Sequence, residues 1–120
     1  MFVRDLKECK EFRSGDNAAF RELFNPLKDE LKLNYSLGRA VVKPERSTKK
    51  HKLKSSEVYF ILKGKGVMFI DGEERKVREG EAIYIPPESI QRIKNNGSTD
   101  LVFLCIVEPA WKKEDEEVVE

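Results

Sequence analysis

From Leu33 to Val107 the chain is cut into short runs of β-branched, aromatic and aliphatic residues, separated by turn residues every eight to twelve positions. That rhythm leaves little room for long helices and predicts an antiparallel sandwich or barrel. Tyr35 to Val42 is one run, ended by Lys43-Pro44, and Val58 to Leu62 is another. Gly64-Lys65-Gly66 interrupts the chain before Val67 to Ile70, and Asp71-Gly72 then leads into Glu73 to Val77. Asp-Gly tolerates positive φ at both positions, so a tight hairpin is expected there. Arg78 to Glu81 makes the next turn, Ala82 to Ile85 the next strand, and Pro86-Pro87-Glu88-Ser89 a connection whose prolines donate nothing to a ladder. Ile90 to Lys94 resumes strand character, Asn95 to Ser98 turns again, and Leu101 to Val107 is apolar on both alternating faces, as a strand covered on both sides would be.

The flanks read differently. Asn17 to Phe24 carries helix formers, with Ser14, Asp16 or Asn17 available as N-cap and Pro26 closing the segment, so a short helix is expected within residues 1–32. Residues 33–110 would form the barrel. After Pro109, Trp111 is expected to pack back on the barrel end or on a neighbouring subunit, and the acidic tail, 111–120, to be mobile.

At 120 residues the chain suits one domain with a single core. Its 23 Lys and Arg nearly balance 22 Asp and Glu, so net charge implies neither a nucleic-acid nor a membrane partner. Charge is nevertheless segregated. Lys43, Arg46, Lys49, Lys50, Lys52 and Lys54 make a basic stretch, read as a solvated face or as an anion-attracting rim, whereas Glu114 to Glu117 and Glu120 make the end acidic. Charged residues reach 38%, rich in Lys and Glu, a composition also found in proteins from hot environments. Cys9 and Cys105 lack paired spacing, so no disulfide framework is expected and a reducing cytoplasm fits best. No signal-like segment and no apolar run of ~18 residues occurs.

Two motifs carry the chemistry. The first reads His51-x-Leu53-x3-Glu57-x6-Gly64 and the second Gly80-x5-Pro86-x-Glu88-x2-Gln91-x3-Asn95. Together they resemble the cupin family, whose motifs are G-x5-H-x-H-x3,4-E-x6-G and G-x5-P-x-G-x2-H-x3-N. The resemblance implies a cupin double-stranded β-helix, or jelly-roll, barrel, of the small cupin-2 type. It also implies a site inside the barrel for a divalent transition metal: iron, manganese, zinc, nickel or copper. The departures fall on that site. Glu45 stands where the first motif opens with glycine, Leu53 and Gln91 replace histidines, and Glu88 replaces a glycine. His51 and Glu57 remain as strong ligands, with the amide of Gln91 a weaker third, so both an altered metal site and no metal at all stay open.

His51, Leu53 and Glu57 are even numbers of positions apart and should face the interior together, as should Gln91 and Ile93. Leu53 would then fill a ligand's place with an apolar side chain. Cys105 is a buried apolar residue or an added ligand, and parity does not say which face it takes. His51 and Glu57 are the candidate acid–base pair, burial near few cations suiting the carboxyl to that work. Gln91, Tyr59 and Cys105 are candidate ligand-binding residues, with Tyr59 and Tyr84 as walls.

Three functions follow as expectations. One is an isomerase- or epimerase-type enzyme acting on a sugar, sugar phosphate or oxo acid, the basic stretch drawing in an anionic substrate. Another is a barrel that binds or senses a small ligand without transforming it. The third is a vestigial barrel closed around Leu53. The resemblance implies a homodimer under all three, with residues before Leu33 available for strand exchange.

Overall fold

The computed structural model describes residues 1–15 and 17–120. Eleven strands form two antiparallel sheets. In chain order they are β1 (Phe12–Arg13), β2 (Ala19–Phe24), β3 (Ser36–Val42), β4 (His51–Leu53), β5 (Ser56–Lys63) and β6 (Lys65–Ile70). There follow β7 (Glu73–Arg78), β8 (Ala82–Ile85), β9 (Gln91–Lys94), β10 (Leu101–Glu108) and β11 (Glu116–Val118). One sheet runs β1-β2-β3-β10-β5-β8 and the other β11-β4-β9-β6-β7. This is the jelly-roll barrel that the strand rhythm and the paired motifs predict.

The alternation works as expected on the inner faces. Along β4 and β5, His51, Leu53, Ser55, Glu57, Tyr59 and Ile61 are all buried. β10 buries Leu101, Phe103, Cys105 and Val107, which settles the direction of Cys105: it points inward, between Gly38 on β3 and Tyr59 on β5. Only that face is buried. Val102, Leu104 and Ile106 are half-buried on the outer face, so β10 is not covered on both sides as its composition suggested. Tyr84 also looks outward, 63% exposed, and is no wall of the interior. Ile61, Ile93, Leu101 and Phe103 close one end of the barrel with an apolar core, and this fixes the polar residues at the other.

The segment expected as a helix is β2, hydrogen-bonded to β3. Helix propensity in Arg21, Glu22 and Leu23 is worth tenths of a kcal/mol per residue, less than strand pairing returns in this context. Phe20 explains the pairing. Its ring lies over Gly38, where a Cβ would overlap it, and so closes the barrel wall. Helical structure among the described residues is confined to 3-10 turns at Leu6–Glu8 and Lys113–Asp115. Ser14 caps no helix: its hydroxyl and amide bond back to Ala18 in a turn. Asn17 adopts φ 78° beside it, and Asp16 lies outside the described residues.

Residues ahead of β3 pack onto their own chain. Arg4 forks onto Asp29 with contacts of 3.0 and 3.2 Å and also bonds Leu23 carbonyl. The Arg4 hydrogen bonds, aided by the Asn25 amide, hold the Asp29 carboxyl below its ordinary value of 3.8. A carboxyl lowered by folding adds stability above its unfolded pKa and loses it as pH falls through the lower folded value. Asp29→Asn is therefore expected to lower the melting temperature at pH 7 and to match the parent chain well below pH 3.8. Melting curves at several pH values check it, and a gap that persists in acid would refute it.

Two positions where the chain departs from the family's glycines show why glycine belongs there. Glu45 takes φ 67° and Glu88 φ 66°, a left-handed backbone that costs a side-chain-bearing residue about 1 kcal/mol or more. Both amides are committed, Glu45 N–H to Asn95 carbonyl and Glu88 N–H to Leu53 carbonyl, so the conformation is held from outside. Both side chains are exposed. Glu45→Gly and Glu88→Gly are expected to raise stability by about 0.5–1 kcal/mol each, roughly 2–6 °C in melting temperature.

The C-terminal segment is not a loose tail. β11 pairs antiparallel with β4, Glu116 opposite Leu53 and Val118 opposite His51. Lys52 reaches Glu117 at 3.3 Å, so acidic end and basic stretch meet each other. Part of the expected anion-attracting rim is thereby neutralised. Trp111 packs back on its own barrel end, its amide bonding Ser36 Oγ and its carbonyl accepting from Asn25.

Candidate functional site

The open end of the barrel holds a narrow cavity of about 40 Å³ measured to water centres. That is room for two or three waters. His51, Leu53, Glu57, Tyr59, Cys105 and Glu116 contribute to its wall, with Phe12, Phe20, Phe103 and Trp111 as aromatic sides. His51, Glu57, Tyr59 and Cys105 therefore converge on one space. Gln91 lies behind them, 2% exposed, and supports the wall.

His51 is placed by β4, with Gln91 on β9 directly opposite. Its Nδ1 lies 2.7 Å from the carbonyl oxygen of Lys49. A carbonyl only accepts, so Nδ1 carries the hydrogen and donates it. In the neutral ring the lone pair then sits on Nε2. A backbone contact two residues away thus selects the tautomer that a proton acceptor needs.

Glu57 is held from across the barrel. Tyr59 hydroxyl donates to Gln91 Oε1 at 3.0 Å, and Gln91 Nε2 donates to Glu57 Oε1 at 3.1 Å. The order is forced by the end members, because an ionised carboxylate accepts only and so takes the NH2 side of the amide. This chain links the two sheets at the site and aligns a buried carboxylate, 6% exposed, beside the cavity. Gln91 does more here than stand in for a lost ligand.

The same orientation bears on metal. Gln91 turns its oxygen, the only metal-ligating atom of an amide, to Tyr59 and its NH2 toward Glu57. Leu53 has no donor atom and faces the cavity. Among the described residues no three His, Cys, Asp or Glu side chains are grouped to hold an ion. The donor set of His51, Glu57 and Gln91 as arranged does not fit a resident metal.

Glu116 is the cavity residue that reading the sequence missed, since it lies in a segment read as a frayed acidic end. The one available signal was the alternation of Glu116 and Val118 beside the basic β4 residues, too short to distinguish from a charge run. Its place comes from β11 lying against β4.

The family profile described as the cupin domain matches residues 38–107, well over half of the chain. An uncharacterised protein of Methanocaldococcus jannaschii is 37% identical over 117 residues, covering 97% of this chain and 93% of that one. A glucose-6-phosphate isomerase of Thermococcus litoralis is 39% identical over 60 residues, 46% of this chain and 32% of the isomerase. Among solved structures, a nucleoside dehydratase from Streptomyces superposes with a TM-score of 0.78 at 19% identity, covering 100% of this chain and 92% of that one, a likeness of fold. No helix among the described residues is long and apolar enough to cross a membrane.

Proposed function

The chain belongs to the cupin family, and from that premise we propose that it is a metal-independent cupin that binds a small polar molecule in the barrel mouth and moves a proton on it. The observation that carries this reading is the opposed preparation of two groups on one cavity. His51 is locked in the tautomer with a lone pair on Nε2, and Glu57 is aligned by the Gln91 and Tyr59 chain. Two groups able to take and return a proton suit isomerisation or epimerisation next to a carbonyl. Leu53 dries the wall between them, which strengthens polar contacts inside.

Among the substrates in view, the wall favours an uncharged sugar end over a phosphate or an oxo acid. Neither lysine nor arginine lines the cavity among the described residues, so nothing there would hold an anion. The small volume means that only the reacting end of the ligand is enclosed.

Solvent-deuterium exchange tests the reading. Small aldoses and ketoses incubated with the protein in heavy water are expected to exchange the hydrogen next to the carbonyl, and His51→Gln to reduce that exchange by about 10²-fold or more. Binding without exchange, seen through quenching of Trp111, the sole tryptophan, would leave the non-catalytic binding barrel instead. Neither binding nor exchange would sink both.

A further inference from the structure

We propose that Glu116, carried in by the C-terminal strand, is a ligand-contacting residue of this site, and that with Glu57 it makes the cavity select a ligand bearing a protonated amine. The inference rests on the reading of the barrel mouth as a small-molecule site and names the chemistry it takes.

The register places the residue. In an antiparallel pair, residues directly opposite share a face. Glu116 is opposite Leu53, whose side chain is buried against the interior, so Glu116 is directed to the same side and lines the same cavity. Glu117, its neighbour, points the other way and meets Lys52 outside. The strand therefore sorts two adjacent carboxylates, one to the cavity and one to the surface. Glu116 also fills space that the N-terminal turn leaves open: a Cβ on Gly15 would collide with its carboxylate. β11 thus delivers a polar group beside the wall position that Leu53 has made apolar.

The remaining wall points to the sign of the ligand. Glu57 and Glu116 are its acidic groups, His51 is neutral in the tautomer its Nδ1 bond selects, and no lysine or arginine lines it among the described residues. Phe12, Phe20, Tyr59 and Trp111 complete it with aromatic rings, whose faces attract cations. Carboxylates and aromatic walls together favour an ammonium group over an alcohol, and disfavour a carboxylate. The basic residues of β4 do not oppose this, because Lys52 is turned outward to Glu117.

The test uses the full chain and a matched two-carbon series: ethanolamine, ethylene glycol and glycolate, titrated against Trp111 fluorescence at pH 7. Ethanolamine is expected to bind at least about tenfold tighter than glycolate, the effect of one close charge pair near a protein surface. Glu116→Gln should shrink that ratio severalfold and Glu116→Lys should reverse it, while Glu117→Gln leaves it unchanged. Amide hydrogen exchange at Val118 shows that β11 remains paired in each variant; a Glu116 variant that unpairs is replaced by Glu116→Asp, expected to keep the sign of the preference with weaker binding. All three probes binding equally, or glycolate binding best, overturns the inference and leaves the small-molecule site standing. No response to any of the three overturns both.

Discussion

A Leu53→His, Gln91→His double variant is expected to take up one equivalent of zinc or nickel with sub-micromolar affinity, where the parent chain holds no stoichiometric metal after growth in metal-supplemented medium. Leu53 and His51 are buried on the same face of β4, and Gln91 sits across from His51 on β9, so the two new imidazoles would join His51 and Glu57 around one point. Histidine nitrogens and a carboxylate are a competent donor set for these ions. The change removes the amide that joins Tyr59 to Glu57, so the apo variant is expected to melt below the parent and to regain stability with metal. Elemental analysis and melting curves with and without chelator check it. Stoichiometric metal in the untouched chain would refute the metal-independent reading, and no uptake by the double variant would show that the strand geometry itself has drifted from a metal cradle.

Phe103→Ala is expected to cost about 3–5 kcal/mol, a large share of the stability of a domain this size. Phe103 is 1% exposed at the centre of β10, its ring centroid 4.4 Å from that of Tyr59. Removing it opens a void at the boundary between the apolar core and the cavity, and close-packed neighbours collapse only partly into such space. The loss should extend to function, because Tyr59 loses the ring that steadies the hydroxyl bonded to Gln91. Phe103→Leu, which keeps most of the volume, is expected to cost under half as much. Denaturant unfolding measures both. Equal costs for the two variants would show that the ring's contact with Tyr59, and not the cavity, dominates.

Much of the candidate site was legible before any coordinates. His51, Glu57, Tyr59 and Gln91 lie in short strands with clean alternation, and alternation survives folding because a pleated strand cannot turn adjacent side chains to one face. The motif spacings add the frame, and Glu45 and Glu88 show by their positive φ what the family's glycines are for. What did not show was any feature created by partners distant in sequence. The Tyr59, Gln91 and Glu57 hydrogen bonds span 32 and 34 positions, and no local pattern announces which way an amide will turn. Asn17 to Phe24 looked helical for a related reason: its residues favour a helix weakly, and the ladder with β3 outweighs a weak local preference.

By itself, then, the sequence determined the antiparallel barrel, the Asp71-Gly72 hairpin, the inward line of His51, Leu53 and Glu57, and the loss of two histidine ligands. These rest on local dihedral preference and on a period of two, both written residue by residue. Only the tertiary structure decided that Cys105 points inward, that Gln91 serves Glu57 through its NH2, and that Glu116 reaches the cavity from the far end of the chain. Each of those depends on which strand lies beside which, and an acidic end becomes part of a site only when β4 leaves an edge for it to pair with.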